Sequence, residues 1–228
     1  MTHRALAELL ALVAPPACAA CRASLAAADR LMCAACVREL PWLRGLRCPR
    51  CALPSHRSPG CPAAGAAFAA AWAPLAYDGV ARRLVMALKF GGALALADVM
   101  AAQLAANLPR GLRDARAVVP VPSHPGRRRR RGFDPAEALA VPLARRLGLP
   151  LARCLRRRGG GGRQVGAGRA QRRDPRRLAV EAAGPVPAVR VLLVDDVHTT
   201  GATLGACARA LTASGCPSVI AVTYARTL

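Results

Sequence analysis

Val191-Leu192-Leu193-Val194-Asp195-Asp196-Val197-His198-Thr199-Thr200-Gly201-Ala202-Thr203-Leu204 is the stretch that decides the fold. Its four opening apolar residues read as a strand buried on both faces, as in a parallel sheet covered by helices. Two adjacent acids are costly to bury, so Asp195 and Asp196 are expected to emerge at the carboxyl end of the strand, where open α/β sheets bind ligands. The small, hydroxylated run Thr199, Thr200, Gly201, Ala202 and Thr203 follows, with a glycine that lets the backbone turn its N–H groups inward. A helix over residues 204–214, stopped by Gly215, puts this loop at a helix N-terminus, where the macrodipole favours an anion. An acidic pair alone also fits a magnesium site or a solvated turn; the hydroxyl-rich continuation favours a phosphate cradle.

Around this stretch, strands are expected at 68–77, 117–121, 150–155, 189–194 and 218–224, with helices at 80–90, 93–107 and 135–147. Strands separated by helices favour an α/β fold with a mostly parallel, doubly wound sheet. A chain of 228 residues with 54% hydrophobic content holds one ordinary domain and a small appendage. The small-residue connector at 63–67 sets the expected division, a cysteine-rich segment 1–66 and an α/β domain 67–228.

Seven of the ten cysteines lie between residues 18 and 61, as Cys18-x-x-Cys21, Cys33-x-x-Cys36, Cys48-x-x-Cys51 and a single Cys61. A Cys-x-x-Cys turn places two thiolates on one side of a tetrahedral ion, and a second pair a dozen residues on closes the shell. Zinc ribbons are therefore expected, the first complete, the second with Ala64 where a fourth cysteine would stand and His56 as either a substitute ligand or a solvated loop residue. Disulfides are the rival reading and need an oxidising compartment for which the chain has no clear signal. Such a zinc is structural, standing in for a core that a segment of this size does not build. Cys154, Cys207 and Cys216 are expected as small core residues.

The formal charge is +22, and Lys89 is the only lysine among 34 basic residues. The excess is local: residues 121–180 hold 17 Arg against 3 acids, whereas 181–228 are balanced. A field of this kind attracts pyrophosphate, nucleotides or a nucleic-acid backbone. Within it, Pro120-Val121-Pro122-Ser123-His124 leads into Arg127–Arg131 and Gly132-Phe133-Asp134. This reads as a cationic loop at a strand end whose arginines clamp an anion, with a solvated basic turn as the plainer reading. No stretch reaches the roughly 18 uncharged apolar residues that span a bilayer. Residues 5–14 read as a short amphipathic helix that packs on the body of the protein, and a cytoplasmic location is expected.

The stretch at 191–204 resembles the phosphoribosyl pyrophosphate (PRPP) motif of type I phosphoribosyltransferases. With the cysteine ribbons, the Tyr77–Phe90 segment ending Leu-Lys-Phe, Pro-Val-Pro, Arg-Gly-Phe and the closing Tyr224-Ala225-Arg226, nearly the whole chain resembles the ComF family. The resemblance implies a type I phosphoribosyltransferase-like domain that binds PRPP with Mg²⁺ and transfers its phosphoribosyl group to a nitrogen nucleophile. Asp195 and Asp196 would hold the ribose hydroxyls and residues 199–203 the 5-phosphate. Pro122, Arg127 and Arg131 would face the pyrophosphate, and Gln164 and Arg172 would belong to a hood over residues 158–172. The family usually has Asn-Gln where Asp134-Pro135 stands and a smaller residue at His198, here read as either a proton acceptor or a solvent-facing loop residue. Partners implied are single-stranded DNA or a DNA-uptake helicase. The competing expectations are a non-catalytic DNA-binding adaptor, with few aromatics for base stacking, and a PRPP sensor that controls a partner.

Overall fold

The computed structural model describes residues 16–27, 30–54, 60–158 and 179–228. The expected helix at 5–14 and His56 lie outside them. Two strands, β3 (Ala117–Pro120) and β6 (Val191–His198), pair in parallel with Ala117 opposite Val191 and Pro120 opposite Val194. β7 (Val219–Arg226) lies on the other side of β6, and β1 (Ala70–Trp72) pairs beyond it, giving the order β1-β7-β6-β3. A short β2 (Leu75–Ala76) continues the line of β1 beside β7. Every pairing in this sheet is parallel, as the run of apolar residues without alternation implies.

Because β6 and its neighbours are buried on both faces, their side chains divide between two cores. Leu192, Val194, Val118, Ile220, Val222 and Tyr224 belong to one, Val191, Leu193, Ala117, Val119, Val219 and Ala221 to the other. Helices α2 (Gly79–Phe90), α3 (Leu96–Asn107) and α5 (Pro135–Leu147) cover the first face through Leu84, Leu88, Met100, Leu104, Leu139 and Leu143. Helix α6 (Ala202–Ala213) covers the second through Leu204, Cys207 and Leu211. Cys154, Cys207 and Cys216 are buried, as small core residues should be.

The cysteine segment straddles the sheet. Cys18, Ala20, Met32 and Cys36, the last on the short α1 (Ala34–Arg38), join the first core, while Cys51, Ala52 and Ala63 join the second. Its backbone also bonds the edge: Ala71 N–H donates to Pro49 O at 2.8 Å, and Ala76 N–H to Pro41 O at 2.9 Å. An edge strand would otherwise offer unpaired peptide groups to other chains.

Four expectations change. The strand expected at 68–77 is broken into β1 and β2. The strand expected to end at Val194 continues to His198, because the ladder with β7 runs on through Asp195–Thr223, Val197–Ala225 and His198–Arg226. The arginine run is the helix α4 (Pro125–Arg131) rather than a loop: Pro125 stands at its first turn, the His124 Nδ1 accepts from Gly126 N–H, and Gly132 ends it at φ 79°. The segment 150–155 gives only a parallel bridge at Leu151 to Val118; the strand itself is β4 (Leu155–Arg157), paired antiparallel with β5 (Val180–Ala182). No helix among the described residues is long and apolar enough to cross a membrane.

The central strand sets the stability. Leu192→Ala removes a fully buried side chain between α helices and sheet and is expected to lower the unfolding free energy by about 3 kcal/mol; urea denaturation at fixed zinc concentration measures it.

Candidate functional site

The first cysteine cluster joins Cys18, Cys21, Cys33 and Cys36, the second Cys48, Cys51 and Cys61, with all sulfurs of each cluster within 4.8 Å of one another. Cys21–Cys33 and Cys48–Cys61 sulfurs stand 3.7 Å apart. A tetrahedral ion with Zn–S bonds of about 2.3 Å holds its sulfurs about 3.8 Å apart, so the spacing fits zinc. The two turns are alike in detail. Arg22 N–H donates to Cys18 O and Ala52 N–H to Cys48 O; Cys18 N–H donates to Ala23 O and Cys48 N–H to Leu53 O. Arg22 and Ala52 both adopt left-handed backbone, φ 66° and 62°.

Crowded together, these thiols do not ionise equally. Burial and the neighbouring thiols push Cys36 up to about 12 and Cys51 up to about 11. At Cys18 burial is outweighed by N–H donors from Cys33, Cys21 and Ala20, and its pKa falls to about 6. A divalent cation relieves this conflict by holding the sulfurs as thiolates.

At the carboxyl ends of β3 and β6 a cleft is lined by Lys89, Pro122, Ser123, Arg127, Arg131, Arg157, Asp195, Asp196, Thr199 and Thr203, among others. Sequence-predicted residues some seventy positions apart thus share one opening. Arg127 and Arg131 reach it because a helix puts i and i+4 on one face; Arg127 is exposed, as are Arg128, Arg129 and Arg130, and Arg131 is half-buried. Thr200, Gly201 and Ala202 complete the loop behind Thr199, with the Thr200 hydroxyl accepting from Ala202 N–H at 3.4 Å. Gly201 is at φ 77°, and a Cβ there would lie 2.8 Å from His198 Nε2, so only glycine fits. Helix α6 starts at once, and its first-turn N–H groups have no intrahelical acceptors. Gln164 and Arg172 lie outside the described residues.

The carboxylates do not sit in solvent. Burial, then the neighbouring Asp196, push Asp195 well above the usual carboxylate range, although its Oδ1 accepts from Asp196 N–H at 2.8 Å. Asp196 is also raised by burial but opposed by Lys89, whose Nζ stands 2.7 Å from its Oδ1. Asp134 braces the β3 exit, its Oδ2 accepting from Ser123 N–H at 2.7 Å and its Oδ1 capping α5 at Ala136 N–H. Arg131 lies 4.6 Å over the Phe90 ring and Arg157 is depressed by burial, then by Arg127.

Sequence reasoning missed Lys89, Asp134 and Arg157 as site residues. Lys89 carried a signal, as the single lysine in a chain that otherwise uses arginine: a compact ammonium fits beside a buried carboxylate where a planar guanidinium needs more room. His198 is neither solvent-facing nor a proton acceptor. It is buried, its ring meets Phe68 edge-on at 6.0 Å, and burial lowers its pKa to about 4, leaving it a neutral packing residue.

Two measurements follow from this geometry. Asp195→Asn keeps the acceptor oxygen and removes a buried charge, so the ligand-free chain should gain about 1–2 kcal/mol at pH 8. A carboxyl raised on folding costs nothing where both states are protonated and costs most at high pH, so the gain should shrink towards pH 5; denaturation at the two pH values reads it. Metal analysis should give about two zinc ions per chain, and about one in Cys33→Ser.

Residues 9–66 match the family of double zinc ribbon domains. No curated protein matches the chain. The match and the two sulfur clusters agree: the chain carries an N-terminal double zinc ribbon domain with structural zinc, attached to an α/β unit with a mostly parallel sheet.

Proposed function

We propose that the α/β unit binds PRPP and transfers its 5-phosphoribosyl group to a nitrogen nucleophile, releasing pyrophosphate, in the manner of the ComF family and type I phosphoribosyltransferases. The observation that carries this reading is the cleft itself: an acidic pair, a hydroxyl-rich helix N-terminus and a two-arginine helix face meet at adjacent parallel strand ends. A molecule with a phosphate at one end, a diol in the middle and a pyrophosphate at the other matches that order of charges.

In this reading the loop 199–203 takes the 5-phosphate through N–H groups, the Thr199 and Thr203 hydroxyls and the dipole of α6. Asp195 and Asp196 accept from the ribose hydroxyls. Their oxygens also suit Mg²⁺, which binds through one or two carboxylates and the substrate's phosphates. Held there, Mg²⁺ would supply positive charge to offset that of the pyrophosphate leaving group. Arg127 and Arg131 stabilise the departing pyrophosphate while the nucleophile's lone pair forms the new C1–N bond. The carboxylates tolerate the positive charge that develops on the ribose ring. Lys89, its Nζ 2.7 Å from Asp196 Oδ1, opposes the burial that raises the Asp196 carboxyl.

Calorimetric titration of the zinc-loaded chain with PRPP and Mg²⁺, beside the Asp195→Asn, Asp196→Asn double variant, tests the proposal. Saturable binding to the wild type and at least a hundredfold loss in the variant are expected; absence of binding to the folded wild type would reject it and favour the arginine-rich DNA adaptor, whose affinity falls steeply between about 50 and 200 mM salt.

A further inference from the structure

Arg226, at the end of β7, is 5% exposed, yet its guanidinium has no carboxylate partner among the described residues. Four backbone carbonyls surround it instead. Its Nε donates to Cys51 O at 2.8 Å, and its Nη1 to His198 O at 2.9 Å, Thr199 O at 2.7 Å and Thr227 O at 2.6 Å. These acceptors belong to three separate pieces of chain. Cys51 is a sulfur ligand of the second cluster, the consecutive His198 and Thr199 end β6 and open the phosphate loop, and Thr227 follows Arg226 itself. Burying a cation is unfavourable unless fixed dipoles replace its hydration, so each carbonyl must stay in place for the others to hold. Only a planar fork of donors bonds the ribbon on one side and the loop on the other at once; the three donors of an ammonium sit on one atom.

The surrounding packing leaves this bracket little freedom. The His198 ring, whose carbonyl Arg226 holds, blocks any side chain at Gly201 and meets Phe68, which shares a core with Cys51 and Ala52. A shift of the Cys48–Ala52 turn therefore reaches the loop by two routes, the guanidinium and the Phe68–His198–Gly201 stack.

We infer that Arg226 is a positioning residue that ties the phosphate loop to the second cysteine cluster, so that metal at Cys48, Cys51 and Cys61 and an anion at residues 199–203 bind with positive coupling. This rests on the loop being the PRPP phosphate site proposed above. Coupling of binding free energies is reciprocal: if the metal sharpens the loop for its anion, the anion slows loss of that metal. The first cluster, which Arg226 does not touch, keeps its metal at an unchanged rate.

The test follows zinc transfer from the intact chain to a chromogenic chelator, with and without PRPP and Mg²⁺, in the wild type and in Arg226→Lys. In the wild type the ligand should slow release of one zinc of the two about tenfold, and in Arg226→Lys it should slow neither, with PRPP affinity down about tenfold. Slowing of both ions, or of neither while PRPP still binds, would overturn the coupling. Cys61→Ser gives the second arm and should weaken PRPP about tenfold, whereas Cys21→Ser should leave it within about twofold; equal effects would also overturn it. If wild type binds no PRPP, the loop assignment fails by itself. Amide exchange of residues 199–204 then reads the bracket directly: faster exchange in Arg226→Lys and Cys61→Ser supports it, and unchanged protection overturns it.

Discussion

The parallel pairing of Ala117–Pro120 with Val191–Val194 is the constraint on which the rest of the structure depends. Parallel neighbours end at the same edge of a sheet, so whatever follows the two strands is brought together. Here one strand is followed by proline, histidine and an arginine helix, the other by two acids and a threonine loop. Side by side, they make a cleft that gathers arginines, threonines and an acidic pair, with Lys89 paired to Asp196.

Gathering these charges has consequences throughout the chain. Carboxylates kept near a low-dielectric core resist ionisation, and the single lysine lies where it eases this for Asp196. Asp134 spends both oxygens on backbone donors and so fixes the turn instead of joining the acidic pair. The histidine after the acids is buried and neutral, adding no charge to the loop. These positions trade stability of the empty protein for a site organised in advance, the usual arrangement where charge must be met without reorganisation.

The sequence displayed some of this openly. Four apolar residues in a row can be read as a doubly buried strand, and paired Cys-x-x-Cys turns as zinc ribbons, because both signals are local and have few competing explanations. Helix α5, from Pro135 to Leu147, falls at the expected bounds because its proline start and glycine stop are contiguous with its apolar face. The continuation of β6 through Asp195 and Asp196 was not legible, since it depends on β7 and on Lys89, over one hundred residues away. The arginine helix was hidden by its composition: five like charges suggest a solvated run, while the caps that make it a helix are a histidine and a glycine outside it. Arg226 was legible only within the closing Tyr224-Ala225-Arg226 of the family resemblance; its bracing role was not, because its partners are carbonyls, which every residue possesses.

The place of β7 between β1 and β6 has a consequence for how the protein is made. Each cysteine cluster closes over a short span of chain, so the ribbons have all their described ligands once Cys61 has been synthesised. The sheet they pack on has a gap at its centre until residues 219–226 emerge from the ribosome, and β1 has no strand neighbour until then. During that interval two finished metal knots flank strands with exposed Val and Leu side chains, a state prone to wrong association. Protection of those strands while the last hundred residues are made then bears on the yield of folded protein.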